Sequence, residues 1–132
     1  MQDSVVFFEL PADEPVRARE FYEKAFGWKV TSNPALRVQM LGTAPSDERG
    51  RATTRGAING ILSQRKNSDS ATVITIDVED IDSAIERVKA NGGRVVQMKQ
   101  EIRGIGYAAY FKDTEGNKLG LFQSARSRGG EQ

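Results

Sequence analysis

The sequence predicts an α+β protein made of two tandem βαβββ modules. Three observations support this. Strand-length runs of β-branched and aromatic residues recur along the chain. Two stretches carry apolar residues at helical spacing. The order of elements also begins again half-way through the 132 residues.

The first strand is "VVFFEL" (5–10). Asp13 offers an N-cap, with Glu14 and Pro15 in the first turn of a helix. Ala18, Phe21, Tyr22 and Ala25 form its apolar stripe, and Gly27 stops it. "WKVTS" and "LRVQML" read as two further strands. Residues 42–56 are polar and turn-rich and read as a flexible loop. "AINGILSQ" (57–64) closes module 1. After "RKNSDS" comes the strand "ATVITIDV" (71–78), then a helix capped by Asp80 whose stripe is Ile81, Ala84, Ile85 and Val88. "NGG" ends this helix, and "RVVQMK", "YAAYFK" and "KLGLFQ" follow, the last two joined by "DTEGN".

A shift of 66 residues pairs Leu10 with Ile76, Ala18 with Ala84, Tyr22 with Val88 and Gly27 with Gly93. "NGILSQ" lies over "LGLFQS", pairing Gly60 with Gly120. The expected organisation is one domain over 1–132, with module 1 at 4–64, module 2 at 70–124 and a disordered tail at 125–132. A four-stranded module exposes one sheet face, so two modules are expected to pair.

Composition narrows the functions. Net charge is +1 with acids and bases interspersed, which argues against nucleic acid or an anionic membrane as partner. There is no cysteine, hence no disulfide or thiolate metal site. Histidine is also absent, which removes the commonest metal ligand and any Ser-His-Asp triad. No signal peptide and no span of roughly 20 apolar residues is visible, so the expected location is cytoplasmic. "GRVVQ" and "RGIGY" lack the context of a phosphate-binding loop.

The segments "FFELPADEPVRAREFYEKAFGWKV", "TIDVEDIDSAIERVKANGGRVV" and "YAAYFKDTEGNKLGLFQ" resemble the vicinal oxygen chelate superfamily of glyoxalase I, extradiol dioxygenases and bleomycin-resistance proteins. Thr114 stands where relatives often have proline. The resemblance implies an open cup formed by two modules, with a divalent metal held from the first and last strand of each. Those positions fall at Phe7, Gly60, Val73 and Gly120, none of which has a donor side chain. A register slip of one would offer Phe8, Asn59, Thr72 and Leu119, again no credible site. No metal or other cofactor is therefore expected. Two readings of the glycines stay open: relief of crowding in a curved sheet, or room for a ligand.

Alternation adds Glu9, Leu62, Thr75, Asp77 and Phe122 to the cup side and sends Phe8, Leu10, Ile74, Ile76, Leu119 and Leu121 towards the helices. Tyr110 joins the cup if Ala108 does. The expected ligand-binding set is Phe7, Glu9, Gly60, Leu62, Val73, Thr75, Tyr110, Gly120 and Phe122. Glu9 is the one candidate catalytic group, a general acid or base if desolvated, although a solvated or arginine-paired carboxylate is the plainer reading. Met40 and Met98 suit packing or a pliable wall, and Trp28 suits a seal at the module junction. The 42–56 loop could cover the cup, and Arg49, Arg51 and Arg55 read as solvated charges.

The function expected is a metal-free protein that holds a small organic ligand, as in the bleomycin-resistance branch, and forms a homodimer. The alternatives are a glyoxalase- or dioxygenase-type metalloenzyme with non-standard ligands, or a metal-free acid–base enzyme using Glu9.

Overall fold

A computed structural model describes residues 3–67 and 70–125. Its elements are β1 (Val5–Ala12), α1 (Pro15–Phe26), β2 (Lys29–Asn33), β3 (Val38–Gly42), β4 (Asn59–Gln64), β5 (Val73–Asp77), α2 (Ile81–Ala90), β6 (Arg94–Ile102), β7 (Gly106–Lys112) and β8 (Lys118–Ser124). The expected α+β order, βαβββ twice, is the observed one. The tail expected to be disordered lies, from Arg126 on, outside the described residues.

The chain divides into two compact units. One is Phe7–Thr72; the other combines Met1–Val6 with Val73–Gln132. The division falls inside β1. Ser4 accepts a hydrogen bond from the Asp77 amide (2.8 Å), and Asp3 pairs with Arg87 (3.2 Å), so the start of the chain is fastened to the second unit.

Within the first unit the strand order is β2-β3-β4-β1, with β1 and β4 parallel and the other pairs antiparallel. The second unit repeats this as β5-β8-β7-β6, with β5 and β8 parallel. A parallel pair needs a crossover connection. In each module the helix and two strands supply it. β6 runs longer than the sequence suggested, to Ile102, with register shifts between Val95 and Gln97 and between Gln97 and Gln100.

Each unit has its own core. Ala12, Val30, Leu41 and Leu62 are buried in the first, joined by Phe8, Leu10, Ala18 and Trp28. Val78, Ile81, Ala84, Ile85, Ala109, Phe111 and Leu121 form the second. Trp28 seals its own module: its ring stacks on Tyr22 at 4.8 Å and lies 5.9 Å from Phe8.

The two helices are held differently. Asp80 caps α2, its carboxylate accepting from the amides of Asp82 (3.0 Å) and Ser83 (3.2 Å). The buried Gln123 carboxamide accepts from the Ile81 amide at 2.8 Å, so two side chains satisfy the open N-terminus. For α1 the N-cap is Glu14, not Asp13, and no side chain caps it. Asp13 instead pairs with Arg65 at 2.9 Å. Gly27 ends α1 in the left-handed region, with its amide on the Glu23 carbonyl at 3.0 Å. No residue of α1 is buried, and Val16, Phe21 and Phe26 stand exposed. No helix among the described residues is long and apolar enough to cross a membrane.

These caps give a direct comparison. Asp80→Ala is expected to cost about 1 kcal/mol of stability in urea unfolding, whereas Glu14→Ala is expected to cost little. Equal effects would contradict the assignment.

Candidate functional site

In module 1 the parallel register pairs Phe7 with Asn59, Phe8 with Gly60, Glu9 with Ile61 and Leu10 with Leu62. Paired residues point to the same side, and Phe8, Leu10 and Leu62 belong to the core beneath α1. Gly60 and Leu62 therefore face the helix, opposite to Phe7 and Glu9. This corrects the expectation that all four share the open face. The reason is register: the last strand lies one residue out from the position inferred by counting. The open face of module 1 carries Phe7, Glu9 and Ile61, with Met40 opposite Ile61.

Gly60 has a packing reason. A Cβ there would meet the Phe8 carbonyl oxygen and stand 2.6 Å from the Phe8 ring. The bare backbone lets that ring cross β4 beneath α1.

Module 2 keeps the expected faces. Thr75 pairs with Gly120, Asp77 with Phe122, Tyr110 with Gly120 and Ala108 with Phe122. Ile76, Leu119, Leu121, Ala109, Phe111 and Tyr107 go to the α2 side. Val73, Thr75, Tyr110, Gly120 and Phe122 are thus together on the face away from α2. Ile74, on the α2 side by alternation, is exposed rather than packed.

Gly120 is crowded too. A Cβ would lie 2.8 Å from Thr75 Oγ1 and 3.4 Å from Tyr110 Cε1. Thr75 is only 5% exposed, and its hydroxyl has no hydrogen-bond partner among the described residues. An unsatisfied buried hydroxyl costs about 1–3 kcal/mol, and such groups call for an explanation in terms of strain, a ligand or water. Beside it, the Lys118 ammonium lies 4.9 Å from the centre of the Tyr110 ring.

The two registers also identify the true counterpart of Gly120. The offset of 66 residues that relates Phe7 to Val73 relates Glu9 to Thr75. Thr75 pairs with Gly120 and Glu9 with Ile61, so Ile61 takes the place the sequence assigned to Gly60. The four equivalent positions are Phe7, Ile61, Val73 and Gly120. A divalent ion needs several oxygen, nitrogen or sulfur donors, and these residues provide no side-chain donor. Among the described residues, no three His, Cys, Asp or Glu side chains gather to hold one. These residues do not fit the superfamily's metal.

The sequence reading weighed Asn59 only as a slipped ligand position and missed its structural role. This residue, 7% exposed, accepts from the Thr43 amide (2.9 Å) and donates to Ser46 Oγ (2.7 Å) and the Gly50 carbonyl (2.8 Å). The 42–56 segment is thereby pinned to β4, where a flexible loop was expected. Asp47 knots it further by accepting from the amides of Arg49 and Arg51, both at 2.9 Å. The Arg51 amide is the main reason its carboxyl is held below the usual carboxylate range. The one signal for Asn59 was an amide side chain directly after the apolar pair Ala57-Ile58, at the start of the strand.

Two βαβββ modules with matching registers define a class, and comparison identifies it. The sequence profile of the Glyoxalase/Bleomycin resistance protein/Dioxygenase superfamily matches residues 4–121, and this chain belongs to that superfamily. A "Glyoxylase-like domain-containing protein" of Didymella fabae is 32% identical over 117 residues, covering 83% of this chain and 84% of its own. Among solved structures, a variant of Streptomyces coelicolor methylmalonyl-CoA epimerase, in complex with 2-nitronate-propionyl-CoA, is similar with a TM-score of 0.65 at 17% identity, covering 92% of this chain and 96% of that one. A superfamily member from Vibrio splendidus 12B01 is similar with a TM-score of 0.59 at 18% identity, covering 93% and 99%. At these identities the structures speak for the fold alone.

The crowding at Gly120 is testable by a mutant cycle. Gly120→Ala is expected to cost about 1–3 kcal/mol, and Thr75→Ala in the same chain is expected to recover much of it. A neutral Gly120→Ala, or additive effects, would show that the contact is not tight.

Proposed function

We propose that this chain is a metal-free binder of a small organic molecule, with the face of module 2 away from α2 as the binding wall. The observation that carries this reading is the side-chain set at Phe7, Ile61, Val73 and Gly120. Each stands where a superfamily metalloenzyme would be expected to place a ligand, and each is hydrocarbon or bare backbone. A cation at any of these positions would lose water without gaining a side-chain donor.

The same face suits an organic molecule. Tyr110 and Phe122, both half-buried, offer ring surface over a floor of buried Val73, and the buried Thr75 hydroxyl beneath them is one polar group still to be satisfied. Apolar walls with a few placed polar groups are the usual makeup of small-molecule sites. Binding then needs contact area and orientation rather than a Lewis acid.

A second reading, acid–base catalysis by Glu9, draws on one observation: this half-buried carboxylate shares its face with Phe7, Ile61 and Met40. It ranks below the first because it rests on a single residue.

A ligand-screened thermal shift tests the main reading. A compound present at a hundredfold excess over its Kd is expected to raise Tm by on the order of 5–10 °C without added metal. Ala108→Trp, which fills the same face, is expected to abolish the shift while leaving the far-UV spectrum intact, and Phe122→Ala to reduce it. Shifts that appear only with a divalent ion, or that survive in both variants, would overturn the reading.

A further inference from the structure

The face proposed above as the binding wall has a row of positive charge along one end. The registers pair Arg94 with Lys112 and Lys112 with Lys118, three cations side by side across β6, β7 and β8. Their neighbours in sequence, Val95, Phe111 and Leu119, pack towards α2, so the row lies on the opposite face with Tyr110 and Gly120. Directly opposed cross-strand residues have Cβ atoms roughly 4.5–5.5 Å apart, and like charges so placed repel.

Among the described residues, no carboxylate pairs directly with any of these three cations. Arg19, Arg65, Arg87 and Lys99, by contrast, each have a carboxylate partner. The nearest acids in sequence are committed to the β7–β8 turn. Asp113 accepts from the Asn117 side chain (3.0 Å) and from the amides of Asn117 (2.8 Å) and Glu115 (2.9 Å). Glu115 accepts from the Thr114 hydroxyl at 3.0 Å. One cation of the row, Lys118, reaches back over the Tyr110 ring.

The next row along the strands contains Tyr110, Gly120 and Thr75, including the buried hydroxyl without a partner among the described residues. A basic row, an aromatic ring and an unsatisfied hydroxyl therefore follow one another on one face. We propose that the Arg94–Lys112–Lys118 row binds an anionic oxygen group, a carboxylate or phosphate, on an organic ligand whose body lies over Tyr110 and Gly120. The proposal rests on the reading that this face binds an organic molecule, and it adds the ligand's charge. An anion over the row would replace repulsion between like charges with charge-assisted hydrogen bonds.

An amide NMR titration with phenyl phosphate, inorganic phosphate and phenol tests this. Phenyl phosphate is expected to shift the amides around Tyr110 and Gly120 saturably, less so as salt is raised. Phenol and inorganic phosphate are each expected to bind at least several-fold more weakly. The double variant Arg94→Gln/Lys112→Gln, which leaves the Lys118 contact with the Tyr110 ring in place, is expected to lose on the order of tenfold in phenyl phosphate affinity with a much smaller change for phenol. Lys118→Gln is expected to lose phenyl phosphate affinity in the same direction. If phenol binds as well as phenyl phosphate, or if the variants keep their affinity, the anion site is refuted while the organic-ligand reading stands. If neither aromatic probe perturbs this face, both fall together.

Discussion

In each module the first and last strands lie parallel and in fixed register, and that pairing decides which residues can meet a ligand. A side chain on one strand and its partner on the next share a face, so a single residue of slip would move a whole strand's set to the other side. In module 2 the pairing of Thr75 with Gly120 gathers Val73, Tyr110 and Phe122 on the face away from α2. In module 1 the pairing of Glu9 with Ile61 keeps Phe7 and Glu9 on the open face and turns Gly60 and Leu62 into the core.

The two glycines therefore serve different ends. Gly60 is core architecture, since the Phe8 ring and carbonyl occupy the space a Cβ would need. At Gly120 the neighbours are the Thr75 hydroxyl and the Tyr110 ring, both on the proposed binding wall. Crowding explains each glycine locally, and only the second lies beside a buried hydroxyl with no partner among the described residues. The two readings left open by the sequence thus separate: Gly60 relieves crowding, and Gly120 combines crowding with a place on the candidate site.

Much of this was legible in the sequence because it is local. Period-2 runs, the stripe of α2, the stop at Gly27 and the cap at Asp80 each depend on a few adjacent residues and appear in the structure. The stripe expected for α1 does not pack as a whole, since Phe21 and Ala25 are exposed. The faces of module 2 were legible because "DTEGN" is the short turn joining β7 to β8 and so fixes the register of β8. Module 1 has no such short turn before β4. The 42–56 segment intervenes, and counting across it misplaced β4 by one residue. Non-local polar contacts were also hidden. Asn59 holding that segment and Gln123 capping α2 join residues far apart in the chain. The basic row escaped notice because its members are separated in sequence and meet only through strand pairing.

The most direct test of the central claim is the stoichiometry of divalent ion binding. Protein stripped with chelator would be titrated with Zn²⁺, Ni²⁺, Mn²⁺ and Mg²⁺ by calorimetry. Because Phe7, Ile61, Val73 and Gly120 provide no side-chain donor, the expected result is no stoichiometric site, with any binding no tighter than on the order of millimolar. One tight site per chain, lost on denaturation and regained on refolding, would contradict the account.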